Sequence, residues 1–247
     1  MVTVNTKTRA IRRRRGFTLI DLLAATAITA IIGVVLSSSV IQLMTVQSST
    51  KNRTDAVKQV ENALHYINMD AQMASPGQLR INSGQNQFIQ TTLSGSSGVN
   101  ATSISVVSTA GFPATGTLTV GSGSSLETLT YTSFSGNNLI ILPAGKAHTS
   151  GDAVSTAMTL KWFDNASVRH IVSYSLVTVN GTKYLQRAET LANAQPTTLR
   201  LAGPIEQATS SFSFDGQVVS ITLTSTVNGL RSASETRTLV VQVRPTI

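Results

Sequence analysis

Residues 17–36, FTLIDLLAATAITAIIGVVL, form an apolar run that carries a single charge, Asp21. At 1.5 Å per residue a helix of that length spans about 30 Å, the thickness of the hydrocarbon core of a bilayer. The run therefore predicts a membrane-crossing helix. Arg12, Arg13, Arg14 and Arg15 stand directly before it, and the positive-inside rule puts that end in the cytoplasm and everything after about residue 40 on the far side. A secretory signal peptide fits poorly, because its shorter apolar core ends at a small-residue cleavage site. Here the apolar pattern passes Ser37, Ser38 and Ser39 and continues through Val40, Ile41, Leu43, Met44 and Val46. Val57, Val60, Leu64, Ile67 and Ala71 then recur at spacings of three and four, the mark of a helix with one apolar stripe. Pro76 and Gly77 end it. One helix over 17–75 would measure about 88 Å.

The charge of the chain is as uneven as its hydropathy. Of a formal net +8, six positives (Lys7, Arg9 and the four arginines) lie in residues 1–16 with no acid among them, which leaves 8 less 6, or +2, for the rest. That distribution argues against nucleic-acid binding by the body of the protein, which shows neither a basic stripe nor aromatic interleaving. Charged residues are only 12% of the 247, and Ser and Thr make up about a quarter, a mix that excludes a coiled-coil rod and suits β structure. Cysteine is absent, so no disulfide framework, thiolate nucleophile or Cys zinc site can form.

The junction Arg15-Gly16-Phe17-Thr18-Leu19-Ile20-Asp21 resembles the class III signal of type IV pilins and type II secretion pseudopilins. In that family a basic leader ends in Gly, Phe opens the mature chain and an acid follows four positions later. The resemblance implies that a prepilin peptidase cuts between Gly16 and Phe17 and methylates the Phe17 amino group. It also implies that Asp21, standing where Glu is usual, pairs with the N-terminal ammonium of a neighbouring subunit. Such pairing would answer an energetic problem, since a lone carboxylate at the bilayer centre costs about 2.5–3.5 kcal/mol. An acid near enough to the interface to stay hydrated is the plainer reading. The family's membrane half often carries a helix-breaking Pro; here only Gly33 and the serine cluster loosen the helix, a departure toward minor pilins or pseudopilins.

After Pro76 the period changes from 3.6 to 2. Asn180-Gly181, Asp215-Gly216 and Asn228-Gly229 lie between or before strand-like segments, each a type I′ hairpin signal. Val219, Ile221 and Leu223 alternate with Ser220, Thr222 and Thr224, and Leu239, Val241 and Val243 with Val240 and Gln242. One face of such strands is buried, and the stripe from Val57 to Ala71 is available to cover it. The expected fold class is α+β: a long N-terminal transmembrane and amphipathic helix packed on an antiparallel β-sheet headgroup. The layout, with a strand at Tyr184, Leu185, Gln186 and Arg187, resembles larger minor pseudopilins of the J or pilus W kind.

The expected divisions are a cleaved leader at 1–16, a pilin helix at 17–75 with 17–36 transmembrane, and a β-rich headgroup from 76–100 and 156–247. Residues 101–155, rich in short strand patterns and Gly turns, are expected to be a small inserted all-β module similar to ones in phage structural and bacterial surface proteins. It reads either as a contact surface for a ligand or as a loop with no partner.

Catalytic patterns are missing from the sequence. His65, His148 and His170 are scattered, no HExxH or GxSxG occurs, and Gly121-Ser122-Gly123 lacks the following helix a phosphate site needs. Asp152 and Asp164 lack a DxDxDG context for calcium. Tyr131, Trp162, Phe163 and Phe212 are read as core. No cofactor and no metal is expected, and the chain is not expected to be an enzyme. Two functions stay open. One is a minor pilin or pseudopilin whose partners are other pilin subunits, the prepilin peptidase, the inner membrane and an assembly platform. It would stand in the inner membrane with its headgroup outside the cytoplasm, then in a filament at the cell surface or in the periplasm. The other is a membrane-anchored adhesion protein that does not polymerise, with 101–155 as its ligand-binding part.

Overall fold

The computed structural model describes residues 18–74, 84–191, 194–215 and 217–243. Arg12, Arg13, Arg14, Arg15, Gly16, Phe17, Pro76, Gly77 and Gly216 lie outside the described residues. Among the described residues one α-helix, α1 (Leu19–Met73), precedes thirteen strands, and the chain divides into two compact units, Met1–Gln47 and Ser48–Ile247.

In the first unit the described residues are Thr18 and the helix up to Gln47. The apolar side chains of this stretch, from Leu19 and Ile20 through Ile31 and Ile32 to Met44 and Val46, are exposed on every side of the helix. The helix is long and apolar enough to cross a membrane.

The second unit holds the rest of α1 and the strands, an α+β arrangement as the change of period predicts. A four-stranded antiparallel sheet runs in the order β1 (Gly84–Gln87), β11 (Ser211–Phe214), β12 (Val218–Val227), β13 (Ala233–Gln242). A nine-stranded antiparallel sheet runs β10 (Thr197–Ala202), β9 (Thr182–Leu191), β8 (Arg169–Val179), β7 (Ala153–Phe163), β4 (Gly116–Val120), β5 (Glu127–Ser135), β6 (Asn138–Ile141), β3 (Ser103–Ser105), with β2 (Gln90–Thr92) added to β7. Both sheets contribute to one core around the helix. Val60, Ala63, Ile67 and Ala71 of α1 pack with Met158, Leu160, Val172, Tyr174 and Leu185 from the larger sheet and Phe212, Val219, Ile221, Leu223 and Val241 from the smaller.

The buried stripe of the helix is rotated slightly from the one the apolar residues predict. Asn52, Ala56, Val60, Ala63, Ile67, Asp70 and Ala71 are buried, while Val57 and Leu64 lie at its margin, half-buried. Small residues occupy the centre because two sheets close on the helix from its flanks. Alanine lets the strands approach, and the larger Leu64 packs at the edge.

The strand alternation holds for Val219, Ile221, Leu223, Val241 and Val243, which are buried, and for Val240 and Gln242, which are exposed, but Thr224, read on the polar face, is buried as well. Of the turn signals, Asn180-Gly181 makes the two-residue hairpin, while that at Asp215-Gly216 falls partly outside the described residues. Val179 pairs with Thr182, and both turn residues have positive φ, 49° and 76°. At Asp215 the pairing closes on Phe214 and Val219, and the Asp215 side chain accepts the Gln217 and Val218 amides at 3.0 and 2.7 Å. The chain at Asn228-Gly229 makes a wider turn, closed by Val227 and Ala233. Its backbone is drawn to the helix instead, where the Asn52 Nδ2 donates to the Arg231 carbonyl at 2.8 Å. Tyr131, Trp162 and Phe212 are buried as expected, but Phe163 is 55% exposed. It follows Trp162 in β7, so strand alternation sends it to the opposite face.

Residues 101–155 supply β3 to β6. They gather a second cluster of buried residues, among them Ile104, Phe112, Leu118, Leu129, Tyr131 and Leu139. Their sheet is continuous with the rest, since Thr117, Leu118, Thr119 and Val120 of β4 pair with Ala157, Thr156, Ser155 and Val154 of β7.

Candidate functional site

The strongest candidate is the bare apolar stretch of α1 with its one acid. Thr18 is the N-cap and Asp21 stands three residues on, so the two close a reciprocal capping box. The Thr18 amide and hydroxyl both donate to Asp21 Oδ2, at 3.1 and 2.8 Å, and the Asp21 amide donates back to Thr18 Oγ1 at 3.3 Å. The acid also lies at the positive end of the helix dipole. Its second oxygen, Oδ1, accepts no hydrogen bond from the described residues. The sequence reading treats Asp21 as a charge in search of a partner and passes over Thr18-x-x-Asp21, the signal by which the cap was legible.

The hydroxyls further along are satisfied inside the helix. Thr26 donates to the Leu23 carbonyl, Thr29 to Ala25, Ser38 and Ser39 to Val35, and Thr45 to Ile41, at 2.7–3.0 Å. A hydroxyl bonded to its own helix loses little on entering an apolar surrounding, which makes this serine and threonine content compatible with lipid or with a packed bundle. Gly33 has open space around it and causes no break in the helix.

A second polar constellation lies where the same helix ends. Asp70 is the charged member of the buried stripe. Its carboxylate accepts Arg187 Nε at 2.7 Å and Nη2 at 3.0 Å, and the Tyr174 hydroxyl donates to the same group. Arg187 Nη1 donates to Glu189 Oε2 at 2.8 Å; Glu189 Oε1 meets His170 Nδ1 at 2.8 Å; and His170 Nε2 reaches Asp164 Oδ2 at 3.3 Å. Trp162 stacks on the His170 ring, with centroids 5.2 Å apart and planes 10° from parallel.

This alternation of signs moves the protonation of its members. Burial pushes the Tyr174 hydroxyl well up, and the charge of Asp70 adds to it. Burial works against the charge of Arg187, but its bonds to Asp70 and Glu189 win and raise it. Burial would also raise Glu189, yet His170 and Arg187 hold it below the usual carboxylate range. His170 is raised chiefly by its hydrogen bond to Glu189. Asp164 is lowered, first by the Val168 amide. The sequence reading missed the whole chain. Its one early sign is an acid beside Ala71 on an apolar face.

His148 is buried, its Nε2 bonded to Glu127 Oε2 at 3.2 Å, and its Nδ1 has no hydrogen-bond partner among the described residues. Glu127 also accepts the Gly145 and Lys146 amides, so this cluster ties the Gly145-Lys146 turn to β5. His65 lies exposed on the helix, edge-on to Tyr66. The structure thus keeps the three histidines in three separate places. Among the described residues no three or more His, Asp or Glu side chains gather as a metal site. The chain matches no family model, and no curated protein and no solved structure is similar to it.

Proposed function

We propose that this protein is a minor pilin or pseudopilin, cut by a prepilin peptidase between Gly16 and Phe17, methylated on Phe17, and packed through α1 into a type IV pilus-like or type II secretion filament. In this reading the inner membrane holds the subunit until an assembly platform extracts it. Asp21 then meets the ammonium of a neighbouring subunit, and residues 101–155 serve as an inserted all-β module that projects a contact surface.

The observation that carries the reading is the extent of bare apolar helix. Residues 19–46 expose their large apolar side chains throughout. Twenty-eight residues at 1.5 Å make about 42 Å, against about 30 Å of hydrocarbon. A usual tilt of about 20° absorbs only about 2.5 Å of the difference. A simple anchor therefore leaves Val40 to Val46 in contact with headgroups and water, whereas the helices of a filament cover one another along their whole apolar length.

Intact mass of the mature protein tests the class: loss of residues 1–16 plus one methyl group supports it, and retention of the leader or cleavage beyond Ser39 overturns it. The capping box favours the second reading, a non-polymerising anchor, because it gives Asp21 a local task. Two variants separate the roles. Asp21→Ala abolishes filament incorporation if the charge pairs with a neighbour, while Thr18→Ala, which keeps the charge, leaves incorporation largely intact. Equal effects of the two would assign the acid to capping alone.

A further inference from the structure

The contacts that tie α1 to the sheets descend the helix in order. Asp70 holds Arg187; Asn62 Nδ2 donates to the Leu201 carbonyl at 2.7 Å; Glu61 meets Arg237 at 3.3 Å; and Gln59 Oε1 accepts the Gly203 amide at 3.1 Å. The last of them, nearest the apolar run, is Asn52 with the Arg231 carbonyl in the turn between β12 and β13. This turn is built rather than loose. Asn52 is itself buried, and Gly229 packs so near it that an added Cβ would stand 2.5 Å from Asn52 Nδ2.

What the turn presents is an apolar tip. Leu230 is 79% exposed, more than any other large apolar side chain described in the second unit. Arg231 beside it is exposed, as are Lys51 and Arg53, which flank Asn52 in the helix. None of these three cations is in an ion pair among the described residues. Lys51 follows Val46, the last residue of the apolar run, by five positions, so chain connectivity alone keeps this group close to the headgroup layer that Val40 to Val46 reach.

We propose that Leu230, Arg231, Lys51 and Arg53 form a docking surface for an anionic lipid bilayer, with Leu230 inserted at headgroup level and the three cations over lipid phosphates. The proposal rests on the reading that the apolar run of α1 crosses the membrane, with Val40 to Val46 at headgroup level. Exposed apolar tips ringed by unpaired cations suit such a surface: the tip gains from leaving water, and each cation near an anionic membrane adds about a fivefold factor to the docked population.

The absence of native cysteine makes the test direct. The full chain, carrying Leu230→Cys labelled with an environment-sensitive fluorophore, is reconstituted in vesicles of phosphatidylcholine alone or with phosphatidylglycerol, with spin-labelled lipids as quenchers. A second sample carries the label at Ile31→Cys within the apolar run. Quenching at 230 in anionic vesicles, lost in 1 M salt and reduced by about a hundredfold in docked-to-free ratio when Lys51, Arg53 and Arg231 are all replaced by Ala, is the expected result. Quenching at 31 without quenching at 230 overturns this proposal and leaves the spanning reading intact. No quenching at 31 overturns both. A blue shift at 230 without lipid quenching that grows with protein density assigns the surface to a second copy of the chain and also overturns it.

Discussion

Arg187→Met should be the most damaging single change in the polar chain at the end of α1. Asp70 and Arg187 side chains are 5% and 14% exposed, so solvent screens their pairing little. Removing the guanidinium leaves Asp70 with the Tyr174 hydroxyl alone, and leaves Glu189 without its Arg187 bond. Breaking a buried pair from one side costs about 3–5 kcal/mol, and the loss of the guanidinium by two acids at once puts this variant at the upper end. Asp70→Ala should cost less, about 3 kcal/mol, because Arg187 retains Glu189. The double variant Asp70→Leu/Arg187→Met removes both charges together and should recover most of the loss, since apolar replacements of a buried pair are often neutral. Trp162, the single tryptophan, lies in the same core and reports unfolding by fluorescence in urea, with the full chain kept in mild detergent. With a slope of about 2–3 kcal/mol per molar, the midpoint of Arg187→Met should fall by about 1.7–2.5 M. If the double variant is as unstable as the two single losses added together, the pair is not coupled and the reasoning fails.

Protonation of His170 should also be visible in stability. A raised folded pKa contributes stability that is fully present below the ordinary value of 6.5 and is lost as pH rises through the folded value, so urea midpoints should decline above that pH and His170→Asn should flatten the decline. Glu189, lowered in the fold, acts in the opposite sense: its share is present above 4.5 and disappears as pH falls through the folded value. Gly229→Ala should destabilise by about 1–2 kcal/mol, because its methyl group displaces Asn52 from the Arg231 carbonyl. In an Asn52→Ala background the same change should be nearly silent, as thermal unfolding of the four proteins will measure.

Much of this fold was legible because some residues act through local rules. Period-2 alternation gave the buried faces of β12 and β13, since side chains in a strand must alternate. Asn180-Gly181 gave its turn because both positions need positive φ. The Asn228-Gly229 signal misled on geometry. Asn228-Gly229 carries the same dipeptide logic, but its backbone answers to Asn52, 176 residues earlier by subtraction of the two residue numbers 228 and 52. Asp70 and Arg187 are separated by 117 residues, and neither has a local pattern that names the other.

The sequence by itself determined the bare apolar helix, its acid near the start, and a β-rich body, because hydropathy, helix period and strand period are properties of neighbours along the chain. Tertiary structure alone decided that two sheets rather than one enclose α1, that its stripe centres on Ala56, Ala63 and Ala71, and that a single line of alternating charges links Asp70 to Asp164. Those outcomes depend on which distant surfaces close on each other. A charge on a helix face reveals only that it needs a partner; the packing of the strands supplies which one.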